Sequence, residues 1–289
     1  MFKQSHGSQN RSRNPTARLL FLLPLFFLFA AENPTPGVNI QFEVLPQSLI
    51  EQRLRVAPDK NSAREAELQR LFKEAGCPET QLTEQVVRRK GPPNLTCSLP
   101  GSTDATIIVG AHFDHVKTGR GVVDDWSGAA LLPSLLQTLK SAPHKHTYVF
   151  VGFTDEEKQL GGSDYYVRHL GAERISRIRA MINLECLGLT PTKVWMHHAD
   201  RQLLLGLLSV ARGMNLPIEG VNVEKVGDDD ADSFRHRHLP TITIHSVTQD
   251  TWPILHSTRD GFAAINLSEY YDSYRLIAAY LTYLDSALD

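Results

Sequence analysis

T-Y-V-F-V-G-F-T-D-E-E-K-Q-L-G-G-S, residues 147–163, is the stretch that decides the fold. Its first seven residues, Thr147–Phe153, form an apolar run of the kind that fills a strand buried on both faces. Two adjacent glutamates, Glu156 and Glu157, follow directly. Strand ends are where an open α/β sheet collects its active-site groups. Neighbouring carboxylates repel, so a partly buried pair needs a cation or a proton between them.

Outward from this point the same pattern repeats. Residues 105–111 form an apolar run ending at His112 and Ile178–Leu184 one ending at Glu185, and Thr241–His245 reads as a further strand. Weaker strand signals cover residues 83–87, Asn94–Leu99, 193–196 and 221–226. Helical spacing of apolar residues appears at 61–75 before Gly76, at 126–140 with Pro133 inside, at 163–170, at 201–212 before Gly213, and at 267–284. The acidic run 228–232 reads as the cap of a helix carrying Phe234. Strands alternating with helices predict an α/β fold. The expected form is a three-layer sandwich, a mixed central sheet with helices on both faces.

The chain has 289 residues, a net charge of -2, 42% hydrophobic and 21% charged residues, ordinary values for a globular protein and no basis for nucleic-acid binding. Its start differs. Lys3, Arg11, Arg13 and Arg18 precede an apolar run, 19–31, that is shorter than the roughly 20 residues a membrane-spanning helix needs. This fits a signal peptide, with an uncleaved anchor as the alternative. The expected layout is therefore leader 1–31, linker and N-terminal segment 32–54, and catalytic domain 55–289, in an exported protein with no other membrane contact. Export would permit a disulfide, and Cys77 and Cys97 lie outside the predicted catalytic strands. Cys186 reads as a packing residue. Three cysteines fit one bridge plus a buried thiol, or three free thiols.

Five segments place His, Asp or Glu beyond an apolar run. In G-A-H-F-D-H, residues 110–115, His112 can ligate a metal while Asp114 holds its other ring nitrogen. In G-V-V-D-D-W-S-G, residues 121–128, one aspartate can bridge two metals and the other can cap the following helix. In the Glu156-Glu157 pair one carboxylate can bind metal and the other serve as general base. Glu185 ends an apolar strand, where an unpaired carboxylate is costly. His256 lies in L-H-S-T-R-D, residues 255–260. Each segment alone also reads as a solvated strand end, a helix cap or a charged loop. His144, His146, His169, His197, His198, His236 and His238 read as surface residues. Trp195, Trp252 and Phe234 read as either pocket-lining or core.

Taken in order, the five segments resemble the co-catalytic zinc exopeptidases of clan MH, which include secreted leucyl aminopeptidases, glutamate carboxypeptidase II and glutaminyl cyclases. That family reads G-A-H-x-D, G-A-x-D-x-x-S-G, E-E-x-G-L-x-G-S, an Asp or Glu, then a late His. The resemblance covers about residues 55–285. It implies two zinc ions bridged by Asp124, one completed by Glu157 and His256, the other by His112 and Glu185. It further implies that Glu156 is the general base on the bridging water, that Asp114 orients His112, and that the Asp124-Asp125 peptide is cis. The function implied is a di-zinc aminopeptidase acting on peptides; a glutaminyl cyclase or carboxypeptidase, and a non-catalytic binding domain, are the alternatives. Four departures stand out. Gln159 replaces a glycine, Glu185 an aspartate common in secreted members, and Leu255 a tyrosine that donates to the oxyanion, a role for which His245 is a candidate. Asp228, Asp229 and Asp230 stand near a family S-D-H, where one of them would hold a substrate's α-amine.

Overall fold

The computed structural model describes residues 42–222 and 227–289. Among them, eight strands form one sheet: β1 (Leu82–Gln85), β2 (Asn94–Leu99), β3 (Thr106–His112), β4 (Thr147–Phe153), β5 (Ile178–Leu184), β6 (Lys193–Val194), β7 (Glu219–Gly220) and β8 (Thr241–His245). Their order is β1-β2-β4-β3-β5-β8-β6-β7. The central strands β4, β3, β5 and β8 run parallel, while β2 pairs antiparallel with β1 and β4, and β6 antiparallel with β8.

Alternation along the central strands covers both faces. Ile107, Val109 and Ala111 of β3 join one core cluster, and Ile108 joins another. The larger cluster takes in α1 (Gln47–Arg55), α2 (Asn61–Glu74), α4 (Leu131–Leu139), α7 (Arg201–Met214) and α9 (Leu267–Ala287). The smaller receives Tyr166 and Val167 of α5 (Gly161–Arg168), and Ala231 and Phe234 of α8 (Asp230–Arg235). Helices thus lie on both faces of a mixed sheet, as the alternation predicted. Two short helices, α3 (Ser127–Ala129) and α6 (Ala172–Arg177), complete the set.

Pro133 falls in the first turn of α4, where the missing N–H costs nothing. Several boundaries differ from expectation. The helix expected to stop at Gly213 runs to Met214 and is ended by Asn215 at φ 53°, a left-handed position asparagine tolerates. The strand expected at 193–196 stops at Val194 and gives way to a 3-10 turn, Met196–His198. The strand expected at 221–226 is the two-residue β7 before it; residues 223–226 lie outside the described residues. So does the leader 1–31. Helix α1 falls in the expected N-terminal segment 32–54 except for its last residue, Arg55, and Ile50 and Leu54 are buried in the same core as α9.

Cys77 and Cys97 form a disulfide joining the end of α2 to β2, and Cys186 is free and buried. His146 is not at the surface: it is fully buried, 3.2 Å from Asp285. His144 and His198 are half-buried. Among the described residues no helix is long and apolar enough to cross a membrane.

Candidate metal centre

The parallel central strands deliver their polar groups to the sheet's carboxyl end. His112 closes β3, Glu156 and Glu157 follow β4, and Glu185 follows β5. The turn before α3 adds Asp124, and the loop after β8 brings His256. Two triads result, His112–Asp124–Glu185 and Asp124–Glu157–His256, each with ligand atoms within 4.8 Å of one another. The five metal-binding candidates of the sequence therefore converge.

Asp124 belongs to both triads. Its Oδ1 lies 3.1 Å from His112 Nε2 and its Oδ2 3.0 Å from His256 Nε2. Glu157 approaches His256 Nε2 at 3.1 Å, and Glu185 approaches His112 Nε2 at 3.5 Å. Glu156 stands back, 3.9 Å from His112 Nε2.

The electrostatics show a surplus of negative charge. Burial alone would raise Asp124, but hydrogen bonds from His112 and His256 hold it well below the usual carboxylate range. Burial would lower His112, yet Glu156 and Glu185 push it well above the ordinary value. Hydrogen bonds to Asp124 and Glu157 push His256 up to about 10. Burial pushes Glu156 up, His112 opposes it, and Asp230, Glu185 and Asp124 reinforce it. A cluster that draws protons onto both of its histidines is one that accepts cations.

The supporting contacts explain the placement. His112 Nδ1 donates to the backbone carbonyl of Asp114 at 3.0 Å, leaving Nε2 for the centre. The Asp114 carboxylate, expected to orient that ring, lies 3.7 Å from Nδ1 and also accepts the Glu156 N–H at 3.0 Å. The Asp124-Asp125 peptide is cis. Asp125 points away from the centre, and its Oδ1 accepts N–H groups from Gly128 at 3.0 Å and Cys186 at 2.9 Å. Asp124 thus faces both triads, while Asp125 turns to the main chain of α3 and Cys186. Gly121 adopts φ 52°, where any side chain would strike His115 and the Asp124 carbonyl.

Two further residues escaped the sequence reading. Arg64 of α2 is fully buried and donates to the carbonyls of Pro58 (2.9 Å), Phe113 (3.1 Å), Gly121 (2.8 Å) and Arg120. It clamps the loop that joins His112 to Asp124. Asp260 is also buried, and its Oδ1 accepts the Val123 N–H at 2.8 Å. The available signals were Arg64 on the buried stripe with Leu68, Leu71 and Phe72, and an aspartate four residues after His256.

The centre opens into a cavity of about 370 Å³ with apolar walls that include Leu160, Trp195, Val247, Trp252 and Leu255. Phe234, by contrast, is core. Cys186 both packs in the core and lines the cavity, its thiol donating to Glu185 Oε1 at 3.1 Å. Asp228 and Asp229 line the cavity, while Asp230 is fully buried and takes no part in its wall. Asp229 caps α8, accepting the Ala231 N–H at 2.8 Å, and accepts the Thr243 hydroxyl at 2.7 Å. Gln159 and Leu160 hold positive φ of 64° and 55°, so the departure from glycine keeps the glycine-like backbone.

A three-layer α/β sandwich with two carboxylate–histidine triads at its strand ends defines a metallohydrolase-type scaffold. The model of peptidase family M28 matches residues 94–281, and the chain belongs to that family. It is 30% identical over 108 residues to aminopeptidase YwaD of Bacillus subtilis, covering 37% of this chain and 22% of that protein. The first curated relatives it matches are covered over only about a quarter to a third of their length. Its fold is similar to the LapA aminopeptidase of Legionella pneumophila (TM-score 0.74, 18% identity, 88% of this chain and 79% of that one). It is also similar to a glutaminyl cyclase of Fimbriiglobus ruber (TM-score 0.67, 15% identity, 86% and 99%).

Proposed function

We propose that the protein is a zinc-dependent aminopeptidase that removes N-terminal residues from peptides and holds two zinc ions per chain. One observation carries this reading: two histidine–carboxylate triads meet at the two oxygens of Asp124. The donor set of imidazole nitrogens and carboxylate oxygens suits zinc. His112, Asp124 and Glu185 would hold one ion, and Asp124, Glu157 and His256 the other. When bound, zinc would polarise the scissile carbonyl and make water more acidic.

Glu156 supplies the proton chemistry. It takes a proton from the attacking water and returns it to the leaving amine. Burial raises its carboxyl above the ordinary glutamate range. Asp114 fixes its backbone. The cavity is lined by six carboxylates, and no lysine or arginine among the described residues lines it. That lining suits a cationic N-terminal amine better than a C-terminal carboxylate.

The test is hydrolysis of aminoacyl nitroanilides by the purified protein. Chelation is expected to abolish activity and zinc to restore it. Glu156→Gln is expected to keep its zinc and lose at least about a thousandfold in kcat. Full activity in that variant sinks the proposal.

A second reading, cyclisation of N-terminal glutamine, is supported by the fold shared with the F. ruber glutaminyl cyclase. Pyroglutamate formation with one zinc per chain would establish it. A purely binding role sits poorly with a complete donor set. Export is also proposed, supported by the basic-then-apolar leader and the Cys77–Cys97 bridge.

A further inference from the structure

The loop that carries Glu156 is held by the hairpin of β1 and β2. Asn94, fully buried at the start of β2, meets both ends of that loop. Its Oδ1 accepts the Thr154 N–H at 3.0 Å, and its Nδ2 donates to the Gly162 carbonyl at 2.9 Å. Between these ends the chain closes on itself. The Asp155 carbonyl accepts the N–H groups of Lys158 (3.2 Å) and Gly161 (2.8 Å), and the Glu156 carbonyl accepts that of Leu160 (2.9 Å). Asp155, Gln159 and Leu160 all hold positive φ, a backbone that persists only where surrounding contacts enforce it. Gln159 and Leu160 also line the cavity, so one turn supplies both the base and part of the wall.

Arg88, in the segment that joins β1 to β2, makes the side-chain contact next to the base. Its Nε lies 2.5 Å from Asp155 Oδ2, and its Nη2 donates to Asp155 Oδ1 at 2.6 Å. Two nitrogens of one planar group on two oxygens fix the orientation of the carboxylate. Lys158 Nζ reaches the same Oδ1 at 2.8 Å, as a point charge without that geometry. The Asp155 side chain is 5% exposed and that of Arg88 42%, so the guanidinium closes over a buried carboxylate from the solvent side. A Cβ at Gly91 would fall 2.7 Å from Arg88 Nε, so the glycine makes room for it. One peptide bond separates Asp155 from Glu156. Arg88 precedes residues 94–281, the part matched by the family model.

We propose that Arg88 is a positioning residue for the base: by holding both oxygens of Asp155 it fixes the turn from which Glu156 enters the centre. This rests on the aminopeptidase reading, in which Glu156 moves the proton. Proton transfer needs its heavy atoms at hydrogen-bond distance, and a misplacement of about 1 Å costs up to about a hundredfold in rate. Asp114 holds the Glu156 N–H from the loop after β3, and Arg88 holds the preceding residue from the hairpin, so the base is fixed from two separate elements. When Arg88 is removed, Lys158 still pairs the buried Asp155 charge. What is lost is the geometry of the turn rather than the partner of a buried charge.

The test compares zinc-loaded full-length wild type with Arg88→Met, Asp155→Asn and the double variant on an aminoacyl nitroanilide. Each single variant is expected to lose at least about tenfold in kcat, with KM and zinc content unchanged. The two residues act as one unit, so the double variant should lose no more than the worse single one. Arg88→Lys keeps the charge without the planar group and should recover only part of the loss. A purely structural pair would lower the urea midpoint and leave kcat of the folded enzyme alone. An Arg88→Met kcat within about twofold of wild type, or losses that multiply in the double variant, overturns the inference. Amide hydrogen exchange on the same zinc-loaded proteins reads the turn without turnover. The Lys158, Leu160 and Gly161 amides are expected to exchange at least about tenfold faster in Arg88→Met, with β3 and β4 unchanged. Unchanged exchange at the turn also overturns it. If zinc-loaded wild type hydrolyses no aminoacyl substrate, the aminopeptidase reading fails, and the exchange ratio decides the inference alone.

Discussion

The Asp114 carboxylate accepts the backbone N–H of Glu156 at 3.0 Å, so the residue two places after His112 fixes the main chain of the proposed base. The loops after β3 and β4 are thereby locked to each other. Asp114→Ala is expected to lower kcat by about 10–100-fold with zinc content retained. Asp114→Asn keeps an acceptor oxygen and should lose much less. Steady-state kinetics beside metal analysis would separate the two variants, and equal losses would contradict this role.

Arg64 holds four carbonyls from a fully buried position. Arg64→Met removes every donor at once and is expected to cost about 3 kcal/mol of stability. Urea unfolding measures this. Because Phe113 and Gly121 flank the loop between His112 and Asp124, zinc affinity should fall in the same variant.

The shared aspartate gives a stoichiometric signature. His256→Ala is expected to leave one zinc per chain, and so is His112→Ala. Asp124→Ala should leave neither site filled at micromolar zinc. Atomic absorption on dialysed protein checks all three, and two tightly held ions in Asp124→Ala would contradict the bridging role.

Asp230 carries a pH dependence. Burial raises it to about 8, from about 3.9 in an unfolded chain. A carboxyl raised on folding contributes stability below its unfolded value, and that contribution is lost as pH climbs through the folded one. In metal-free protein, Asp230→Asn should therefore stabilise more at pH 8 than at pH 4. Urea midpoints at the two pH values give the sign directly.

Gln159 sits at φ 64°, a conformation that costs a non-glycine residue about 1 kcal/mol. Gln159→Gly should not destabilise the protein in thermal melts. A loss above about 1 kcal/mol would mean that the side chain contributes contacts that outweigh the backbone cost.

The central strands were legible because β3, β4 and β5 are buried on both faces and read as largely apolar runs, and β8 as an alternating Thr-Ile-Thr-Ile segment. Strand pairs at the sheet edge, such as β6 and β7, are two residues long and leave almost no pattern. Helix α1 was missed because its buried positions, Ile50, Arg53 and Leu54, include a charged residue and follow a proline-rich stretch. His112, Glu157 and Glu185 were legible because each follows an apolar run at a strand end, whereas Asp124 and His256 lie in loops and were placed by the order of the five segments. Arg64 and Asp260 were not legible, because they act on backbone carbonyls and amides of distant loops, and main-chain partners leave no trace in side-chain spacing. The place of Asp114 beside His112 was readable, but its carbonyl contact to the ring and its carboxylate contact to the Glu156 N–H depend on how the loop turns.

Asp124 has one consequence beyond its place in either triad. A single carboxylate with an oxygen on each side makes the two halves of the centre one thermodynamic unit. Whatever charge settles against one oxygen alters the electron density and the orientation offered by the other. The occupancy of one half then shifts the affinity of the second, and reciprocity requires the reverse shift to be equal. The two metal affinities would thus be a coupled pair, to be measured as such.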